Sequence, residues 1–416
     1  MCSIFGALGD VDMTVLTRIQ RNARDRGRDG GRVQGYRVGN TIAYLGNWRA
    51  TPTTEVSNGA LQPYDGIVHN GVIANDRELG ALPGEIDSQV LPRVLDKRGI
   101  EALAVSLAKV SGSYALAVWT GDDILLACNY KPIHYARIGN AVYFASMARH
   151  FDGVMPYGTA PVHMTPYTVM SLTSGERTEL PRSNGNRALV VASAGLDSTV
   201  VATQLVRQGY EVTLLHYRYG CNAGRREEYC IPRIATALAC SYVILDLDYT
   251  SMQGNSPLFK ANSTPATGIA GSELAHEWVA ARNLIMLAHT IGYAESHGYH
   301  VVAMGNNLEE AGAFPDNEEQ LTVMLDALLP YAVRADYALR IVSPVGNLMK
   351  HEIVNLGHEL GAPFEHTWSC YRGGEIHCGV CGPCYMRRTA FERNGLLDPV
   401  FGGEITSVHD FKTVSF

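Results

Sequence analysis

The stretch ALVVASAGLDSTVVATQLV, residues 188–206, decides the fold of the second half of the chain. Its first residues are typical of a buried strand, SAGLDS is a loop of small and polar residues, and TVVATQLV continues as a helix. Small residues let backbone amides approach phosphate oxygens, and a helix amino terminus favours anions. Ser193, Ser198 and Thr199 add hydroxyl donors. The stretch therefore predicts a phosphate-binding loop, with an ordinary strand-to-helix turn as the alternative.

The pattern on either side of this stretch indicates two domains. Apolar strands alternate with helical segments after residue 187, which is typical of an α/β domain with a parallel sheet. Before it the pattern is mostly short strands, such as GSYALAVW at 112–119, with helices predicted only near 13–24 and 88–97. A polar, turn-rich segment from Thr173 to Asn186 separates the two patterns. We expect domains over residues 1–180 and 187–416.

Composition limits the classes of protein that the chain can be. Its 416 residues, of which 46% are hydrophobic and 18% charged, can bury a sizeable core. No segment approaches the ~18 apolar residues that a membrane helix requires, and the first residues lack the features of a secretory signal. We expect a cytoplasmic protein. A net charge of −7 predicts no broad attraction to nucleic acid. Binding through a local basic patch is kept as an alternative.

The loop SAGLDS resembles the SGGxDS loop of the PP-loop ATP pyrophosphatases, which activate substrates by adenylation. The resemblance implies that ATP binds with Mg²⁺, and that the binding residues are Ser193, Gly195, Asp197, Ser198 and Thr199. Ala194 stands where the family has its second glycine. That change is mild if the local φ is negative and harmful if it is positive.

Four cysteines close together near residue 380 predict a metal site. The segment TWSCYRGGEIHCGVCGPCYMRR supplies Cys370, Cys378, Cys381 and Cys384. Four soft ligands with two short Cys-x-x-Cys steps suit a structural, tetrahedral Zn²⁺, and a redox or disulfide cluster is the alternative. We expect His377 to pack beside the metal without ligating it. The other thiols of this half, and Cys128, have no motif and are expected to fill the core.

The order of the segments in the second half resembles that of the 7-cyano-7-deazaguanine synthases, over about residues 187–395. After the loop come HYRYGCNAGRREE, EWVAARNLIMLAHTIGYAE, GNNLEEAGAFPDNEEQL, SPVGNLMKHEIVNLGHELGAP and the cysteine segment. Those enzymes adenylate 7-carboxy-7-deazaguanine and use ammonia to make first an amide and then a nitrile. The resemblance implies a substrate pocket at Arg282, Asn283 and Asp316, with Lys350 near the phosphate of the activated intermediate; Arg282, Asn283 and Lys350 could each instead be a helix-surface residue.

Four segments of the first half resemble, in order and spacing, the glutaminase domain of class II glutamine amidotransferases, which are N-terminal nucleophile hydrolases. They are MCSIFG at 1–6, GNWRATP at 46–52, LQPYDGIVHNGVIAND at 61–76 and GEIDSQVL at 84–91, and KPIHYARIGNAVYFAS at 131–146 also matches. The overall expectation is therefore a two-domain α/β chain. It joins an αββα Ntn-hydrolase sandwich to an adenine-nucleotide-hydrolase-like, Rossmann-type parallel sheet with a zinc knot.

The amidotransferase resemblance also assigns roles to single residues. If the initiator Met1 is removed, Cys2 carries both a thiol nucleophile and an α-amine that can accept its proton. The resemblance implies that Arg49 holds the α-carboxylate of glutamine and Asp87 its α-ammonium, while Asn70 and the amide of Gly71 stabilise the oxyanion. Taken singly, Cys2 is equally a small buried residue, Arg49 a surface ion pair and Asn70-Gly71 a hairpin turn.

The fusion of the two halves resembles the amidotransferase and synthase-like proteins associated with archaeosine. In those proteins a 7-cyano-7-deazaguanine already in nucleic acid receives ammonia and becomes a formamidine. The sequence-based hypothesis is therefore an amidotransferase whose partners are glutamine and a 7-deazaguanine in tRNA or DNA, with a homo-oligomer left open. Glu318, in place of a family arginine, suggests a pocket for a neutral group. The local basic surface would use Arg218, Arg225, Arg226, Arg387 and Arg388.

Two other functions stay open on the sequence. One is a glutamine-fed, ATP-dependent synthase that makes the free nitrile base from 7-carboxy-7-deazaguanine. The other, of a different class, is a regulatory protein that senses a nucleotide or a deazaguanine. The intact Asp197 and Ser198 favour an enzyme, because a sensor need not retain them in a catalytic array.

Overall fold

The computed structural model describes residues 2–39, 41–51, 61–182, 185–259 and 277–401. These residues divide into two units. The first contains residues 2–182 with Arg334–Asp336, and the second contains the remaining described residues. Among the described residues, none of the helices combines the length and the apolar character needed to cross a bilayer.

The first unit is built from strands β1–β11 and helices α1–α3. In chain order they are β1 Ser3–Gly9, α1 Met13–Ala23, β2 Gly30–Val38, β3 Thr41–Arg49, β4 Ile67–Ile73, α2 Leu91–Val94, α3 Ile100–Leu107, β5 Gly112–Trp119, β6 Ile124–Cys128, β7 His134–Ile138, β8 Ala141–Ala145, β9 Val162–His163, β10 Thr168–Ser171 and β11 Arg177–Glu179. The described strands form two antiparallel sheets, in the orders β2-β3-β1-β8-β7-β9 and β11-β10-β6-β5-β4.

Three apolar layers hold these sheets and helices together. Ile4 and Leu45 from one sheet meet Ala115 and Leu126 from the other in a core between the sheets. Leu16 and Ile19 of α1 pack on the outer face of the first sheet, and Leu103 and Leu107 of α3 on the outer face of the second. Alternate residues of each central strand therefore face opposite cores. The order of layers is helix, sheet, sheet, helix, which confirms the predicted αββα sandwich.

One local prediction for this unit differs in extent. The helix expected over 88–97 is a 3₁₀ turn, Asp87–Val90, followed by the four residues of α2. Leu95 leaves the helical region, with φ −84° and ψ 129°, and ends the helix there. The polar segment 173–186 also contributes β11, which pairs with β10 through Thr168 and Glu179.

The second unit is a parallel sheet covered by helices on both faces. In chain order its elements are β12 Arg187–Val191, α4 Leu196–Arg207, β13 Glu211–Arg218, α5 Gly224–Ala237, β14 Ser241–Asp246, α6 Arg282–His297, β15 Val301–Ala303, α7 Leu308–Ala311, α8 Glu319–Ala332, β16 Arg340–Val342, α9 Lys350–Leu360 and α10 Gly382–Arg393. The strand order is β14-β13-β12-β15-β16. The order reverses between β12 and β15, and in such sheets ligands bind at the carboxyl ends of the strands beside that point.

Arg387 of α10 is fully buried, so it cannot belong to the predicted basic surface. Its guanidinium donates two hydrogen bonds to the buried carboxylate of Asp398, at 2.7 and 2.8 Å. It also donates to the hydroxyl of Thr367 at 2.6 Å and to the carbonyl of Phe364 at 3.1 Å. The prediction failed because sequence alone does not show that a carboxylate eleven residues away returns to pair with this arginine.

Breaking this buried pair is expected to destabilise the second unit. The change Asp398→Ala leaves the charge of Arg387 buried and unpaired, which costs about 3–5 kcal/mol of the free energy of unfolding. The control is Asp246→Ala, since Asp246 is 82% exposed and pairs with Arg218 at 3.5 Å. Exposed pairs contribute less than about 1 kcal/mol. Urea unfolding curves of the two variants measure the difference, and equal losses would contradict a structural role for the Arg387 pair.

Candidate functional site

Cys2 lies directly before β1 and beside the end of β3. The backbone amide of Ala50 donates a hydrogen bond to its Sγ at 3.4 Å. Burial raises the pKa of the Cys2 thiol, while the Ala50 hydrogen bond and the charge of Arg49 lower it and the charge of Asp87 raises it. Because both charges act on one thiol, the fold brings Cys2, Arg49 and Asp87 into one site. Met1 lies outside the described residues, so the role of the α-amine stays a prediction.

Asn70 and Gly71 lie in the middle of β4, paired with Ala115 and Tyr114 of β5, and are not a hairpin turn. Asn70 is 1% exposed, and its Nδ2 has no hydrogen-bond partner among the described residues. A buried amide donor without a partner is costly, and a ligand oxygen would satisfy it. The predicted oxyanion role requires an amide hydrogen that is free of other partners in this way. A Cβ at Gly71 would collide with the carbonyl of Ser113, so glycine is required there.

Arg49 and Asp87 are held in place by the surrounding strands. Arg49 is the last residue of β3 and only 7% exposed, which excludes a surface ion pair. The carboxylate of Asp87 accepts hydrogen bonds from the backbone amides of Ile73 and Ser88, each at 2.7 Å. Its charge is therefore fixed at the end of β4, where it acts electrostatically on the Cys2 thiol.

Two further residues of this site were missed by the sequence analysis. The buried amide of Asn47 donates to the carbonyls of Ser3 and His69, each at 3.2 Å. It therefore ties the residue after Cys2 to the residue before Asn70. Arg26 also acts electrostatically on Cys2, and burial lowers the pKa of its guanidinium. Neither stands out in the sequence, because asparagine in a strand and arginine after a helix are common.

The predicted phosphate loop lies at the carboxyl end of β12, and a cavity opens beside it. Ser193, Gly195, Asp197 and Ser198 line this cavity. The amide of Gly195, the residue just before α4, donates to the hydroxyl of Ser193 at 3.3 Å. Thr199 is not among the residues that line the cavity, and its hydroxyl donates to the carbonyl of Gly195 in the loop at 2.8 Å. Its binding of ATP stays a prediction.

Ala194 adopts the left-handed conformation, with φ 58°, in which its methyl group is strained. The family glycine would avoid a cost of about 1–2 kcal/mol for this conformation. The carbonyl of Ala194 accepts a hydrogen bond from the amide of Trp368 at 2.8 Å, and the side chain is buried. The surrounding structure therefore holds the loop in its shape despite the substitution.

The change Ala194→Gly is expected to leave the stability of the second unit nearly unchanged, within about 0.5 kcal/mol. Relief of the strain, about 1–2 kcal/mol, offsets the lost methyl burial of about 0.8 kcal/mol and the added freedom of the unfolded chain of about 0.4–1 kcal/mol. Ala192→Gly is the matched control, since Ala192 is buried in the same core and its φ is not positive. It should lose about 1–2 kcal/mol. Equal losses in urea unfolding would show that Ala194 is not strained.

Lys350 begins α9 and places its Nζ 2.6 Å from Asp197 Oδ2 and 2.8 Å from Glu310 Oε1. Two carboxylates and one ammonium leave a net negative charge in this buried cluster. The other oxygen of Asp197, Oδ1, is buried and has no hydrogen-bond partner in the described part of the chain. Carboxylate oxygens are the ligands that Mg²⁺ prefers. The cluster therefore fits the Mg²⁺ that accompanies ATP, with Asp197 and Glu310 as the residues that would hold it.

The first residues of α6 form another part of the cavity wall. Arg282 and Asn283 line the cavity, and the Asn283 side chain donates to the carbonyl of Asp316 at 3.0 Å. Asp316 is not among the residues that line the cavity, and its carbonyl holds the Asn283 side chain there. Its contact with a substrate stays a prediction. The residue of the altered segment that does face the cavity is Asn317. Glu318 is exposed and is not among the residues that line the cavity, so the structure gives no support to the inference that it makes the pocket suit a neutral group.

His216 of β13 is a cavity residue that the sequence analysis missed. Its Nδ1 lies 2.9 Å from the carbonyl of Ala192, which only accepts, so Nδ1 carries the proton. Burial lowers the pKa of the ring, which is therefore neutral. Its Nε2 is then an acceptor, buried and without a partner among the described residues. It presents a hydrogen-bond acceptor for an amino or hydroxyl group of a ligand in the cavity.

The four predicted metal ligands lie together. The sulfur atoms of Cys370, Cys378, Cys381 and Cys384 are all within 4.8 Å of one another. Backbone amides of Cys378 and Cys381 donate to sulfurs of the group at 3.4 and 3.3 Å, as expected for thiolates. Four sulfurs at this spacing fit a tetrahedral Zn²⁺ with Zn–S bonds of about 2.3 Å. His377 is not one of them, because its Nε2 accepts a hydrogen bond from the amide of Ser369 at 3.0 Å.

The cysteine segment also forms part of the cavity. Trp368, Ser369, Tyr371 and Pro383 lie in its wall. Trp368 additionally donates its amide hydrogen to the Ala194 carbonyl of the phosphate loop. A metal that orders this segment would therefore shape the cavity without entering it.

Comparisons with known proteins identify relatives of both halves. Residues 187–395 match the family described as queuosine biosynthesis protein QueC. A 7-cyano-7-deazaguanine synthase of Sulfolobus acidocaldarius is 43% identical over 390 residues, which cover 87% of this chain and 84% of that protein. The synthase of Methanothrix thermoacetophila is 39% identical over 227 residues, covering 51% of this chain and 97% of that protein. Some proteins named 7-cyano-7-deazaguanine synthase therefore match nearly the whole of this chain, and others match about half of it.

Solved structures share features of the fold at low similarity. A glutamine phosphoribosylpyrophosphate amidotransferase from B. subtilis is 13% identical, with a TM-score of 0.37, covering 96% of this chain and all of that one. A TM-score this low carries no argument about function.

Proposed function

We propose a function for this chain, which belongs to the QueC family of queuosine biosynthesis proteins. It is a glutamine-fed, ATP-dependent 7-cyano-7-deazaguanine synthase that acts on the free base. The observation that carries the proposal is the pairing of two complete sites in one chain. One contains the Cys2 thiol, the charges of Arg49 and Asp87 that act on it, and the Asn70 amide, which has no hydrogen-bond partner among the described residues. The other presents a phosphate loop beside a buried lysine and two carboxylates. Relatives that match both halves carry the synthase name.

In the first site, the role of Cys2 follows from its position. Its sulfur attacks the side-chain amide carbon of glutamine, a C–S bond forms, and the oxygen becomes an anion that the Asn70 amide stabilises. The C–N bond then breaks and ammonia leaves with the proton taken from the thiol. Water hydrolyses the thioester to glutamate and restores Cys2. Arg49 and Asp87 hold the α-carboxylate and α-ammonium of glutamine throughout.

In the second site, the carboxylate of 7-carboxy-7-deazaguanine attacks the α-phosphorus of ATP and pyrophosphate leaves. Ammonia displaces AMP from the resulting acyl adenylate and forms the amide. A second ATP activates the amide oxygen, which leaves with AMP as the nitrile forms. The amides of the 193–198 loop and the ammonium of Lys350 bind the phosphates. A bound Mg²⁺ would neutralise phosphate charge, held by Asp197 and Glu310.

Three observations support the free base over a nucleic-acid acceptor. Arg387 is buried, and Arg218 is paired with Glu228 at 2.7 Å, so the expected basic surface loses two of its members. Glu318 is outside the cavity lining. Arg282 inside the lining provides a cation that suits the carboxylate of the free base better than a neutral nitrile.

The test is a direct comparison of acceptors. The enzyme is incubated with glutamine and ATP, and with either free 7-carboxy-7-deazaguanine or an oligonucleotide that contains 7-cyano-7-deazaguanine. Mass spectrometry then measures the products. We expect the free base to become the nitrile and the oligonucleotide to remain unchanged. Conversion of the oligonucleotide to a formamidine, with the free base untouched, would contradict the proposal and favour the archaeosine-type reaction.

A further inference from the structure

Glu227, in the first turn of α5, lines the same cavity as Arg282 and the phosphate loop. It differs from the other carboxylates of the cavity, which are committed elsewhere. Asp197 and Glu310 both bond Lys350. Within the described part of the chain, the hydrogen-bond donor recorded for the Glu227 carboxylate is a weak one, the thiol of Cys221, at 3.9 Å. Its oxygens are therefore available to a ligand.

The groups that face Glu227 set its protonation. Burial raises the pKa of Glu227 to about 7, against the lowering effect of the Arg282 charge and the Cys221 hydrogen bond. Burial also raises the pKa of Cys221, to about 12, and that of Tyr219, so both remain neutral around pH 7. Cys230, on the same helix, has a raised pKa for the same reason. Among these neighbours Glu227 alone exchanges a proton near neutral pH.

The proposed reaction needs a group of this kind. When ammonia attacks the acyl adenylate, its nitrogen becomes positively charged and must lose a proton before the amide is stable. The amide nitrogen then loses two more protons, one as its oxygen is activated and one as the C–O bond breaks to give the nitrile. Each lost proton must go to a base. General base catalysis of such steps contributes about 10²–10⁴-fold.

We propose that Glu227 is the catalytic base that accepts the protons from the substrate nitrogen during amide and nitrile formation. This inference rests on the proposed function. The carboxylate takes a proton from nitrogen as the C–N bond order rises, and AMP departs with the electron pair of the broken C–O bond. Glu227 then releases the proton to solvent before the next step. Arg282 beside it holds the substrate carboxylate or the departing phosphate.

The experiment compares Glu227→Gln with Glu228→Gln. The control residue is the next in the same helix, but its carboxylate pairs with Arg218 at 2.7 Å on the exposed side. Both variants and the wild type receive ammonium, ATP and 7-carboxy-7-deazaguanine between pH 5.5 and 9. Two rates are measured: nitrile formation, and pyrophosphate release in the presence of hydroxylamine, which captures the acyl adenylate without needing a strong base.

We expect Glu227→Gln to lower the rate of nitrile formation at least about 100-fold while pyrophosphate release stays within threefold of wild type. The wild-type rate, divided by the concentration of free ammonia at each pH, should fall below about pH 7, where Glu227 is protonated. This fall in the normalised rate should be missing in Glu227→Gln but present in Glu228→Gln. Equal loss of both rates would show that Glu227 only holds the substrate. An unchanged rate of nitrile formation would exclude any role of Glu227 in catalysis. Either result overturns the inference. A wild type that makes no nitrile would instead refute the proposed function, and this inference with it.

Discussion

Replacing Cys2 by alanine is expected to reduce glutamine-dependent nitrile formation by at least about 1000-fold, while the rate with ammonium salt stays within about twofold of wild type. The reason is that the thiol is the only group of its site placed to form the thioester, whereas Arg49, Asp87 and Asn70 bind without reacting. In the proposed mechanism, the adenylation steps use side chains of the second unit alone. The measurement is the rate of nitrile formation with glutamine and then with ammonium.

Cys128→Ala is the matched control for this prediction. Cys128 is a buried thiol of the same unit, and burial raises its pKa to about 12, so it stays protonated and unreactive. This variant should keep its glutamine-dependent activity. Loss of both glutamine and ammonium activities in a folded Cys2→Ala protein would show that the two reactions are not housed in separate units.

Removal of the metal is expected to unfold the second unit and abolish adenylation. We expect one zinc per chain, since binding to four thiolates stabilises a small site by about 10–16 kcal/mol. Cys384→Ser removes one ligand, and the segment that carries Trp368 and Tyr371 into the cavity wall then loses its anchor. Elemental analysis measures the zinc content, thermal unfolding measures the stability of the second unit, and pyrophosphate release measures the rate of adenylation.

Cys240→Ser provides the comparison, because Cys240 is a partly buried thiol outside the cysteine cluster. It should retain one zinc per chain, and its adenylation rate should match that of wild type. If protein without metal, prepared by chelation or as Cys384→Ser, were as stable and active as wild type, the four cysteines would have been misread as a zinc site.

The features that the sequence predicted are those that a short segment determines by itself. The phosphate loop depends on the residues 193–198, and the four cysteines lie within fifteen positions of one another. Cys2, Arg49, Asn70 and Asp87 are distant in sequence, but each stands in its own short motif, and the structure brings the thiol and both charges together. The parallel α/β fold of the second unit followed from its alternating strands and helices, and the αββα layers of the first followed from the amidotransferase resemblance.

The features that the sequence did not predict depend on tertiary contacts. The sign of φ at Ala194 is set by the packing around the loop, which includes its hydrogen bond from Trp368. Burial of Arg387 depends on Asp398, and the orientation of the 315–318 segment turns Asn317 towards the cavity and Glu318 away. The pKa of Glu227 likewise follows from its surroundings, since a pair of glutamates in a helix is ordinarily solvated.

The central claim, that one chain transfers nitrogen from glutamine to a 7-deazaguanine carboxylate, is tested most directly by isotope transfer. The enzyme receives glutamine labelled with ¹⁵N in its side-chain amide, together with ATP and free 7-carboxy-7-deazaguanine, in buffer without ammonium. The account predicts a nitrile product that is heavier by one mass unit in the wild type, and no product in Cys2→Ala. An unlabelled nitrile, or a nitrile that forms only when ammonium is added, would contradict it.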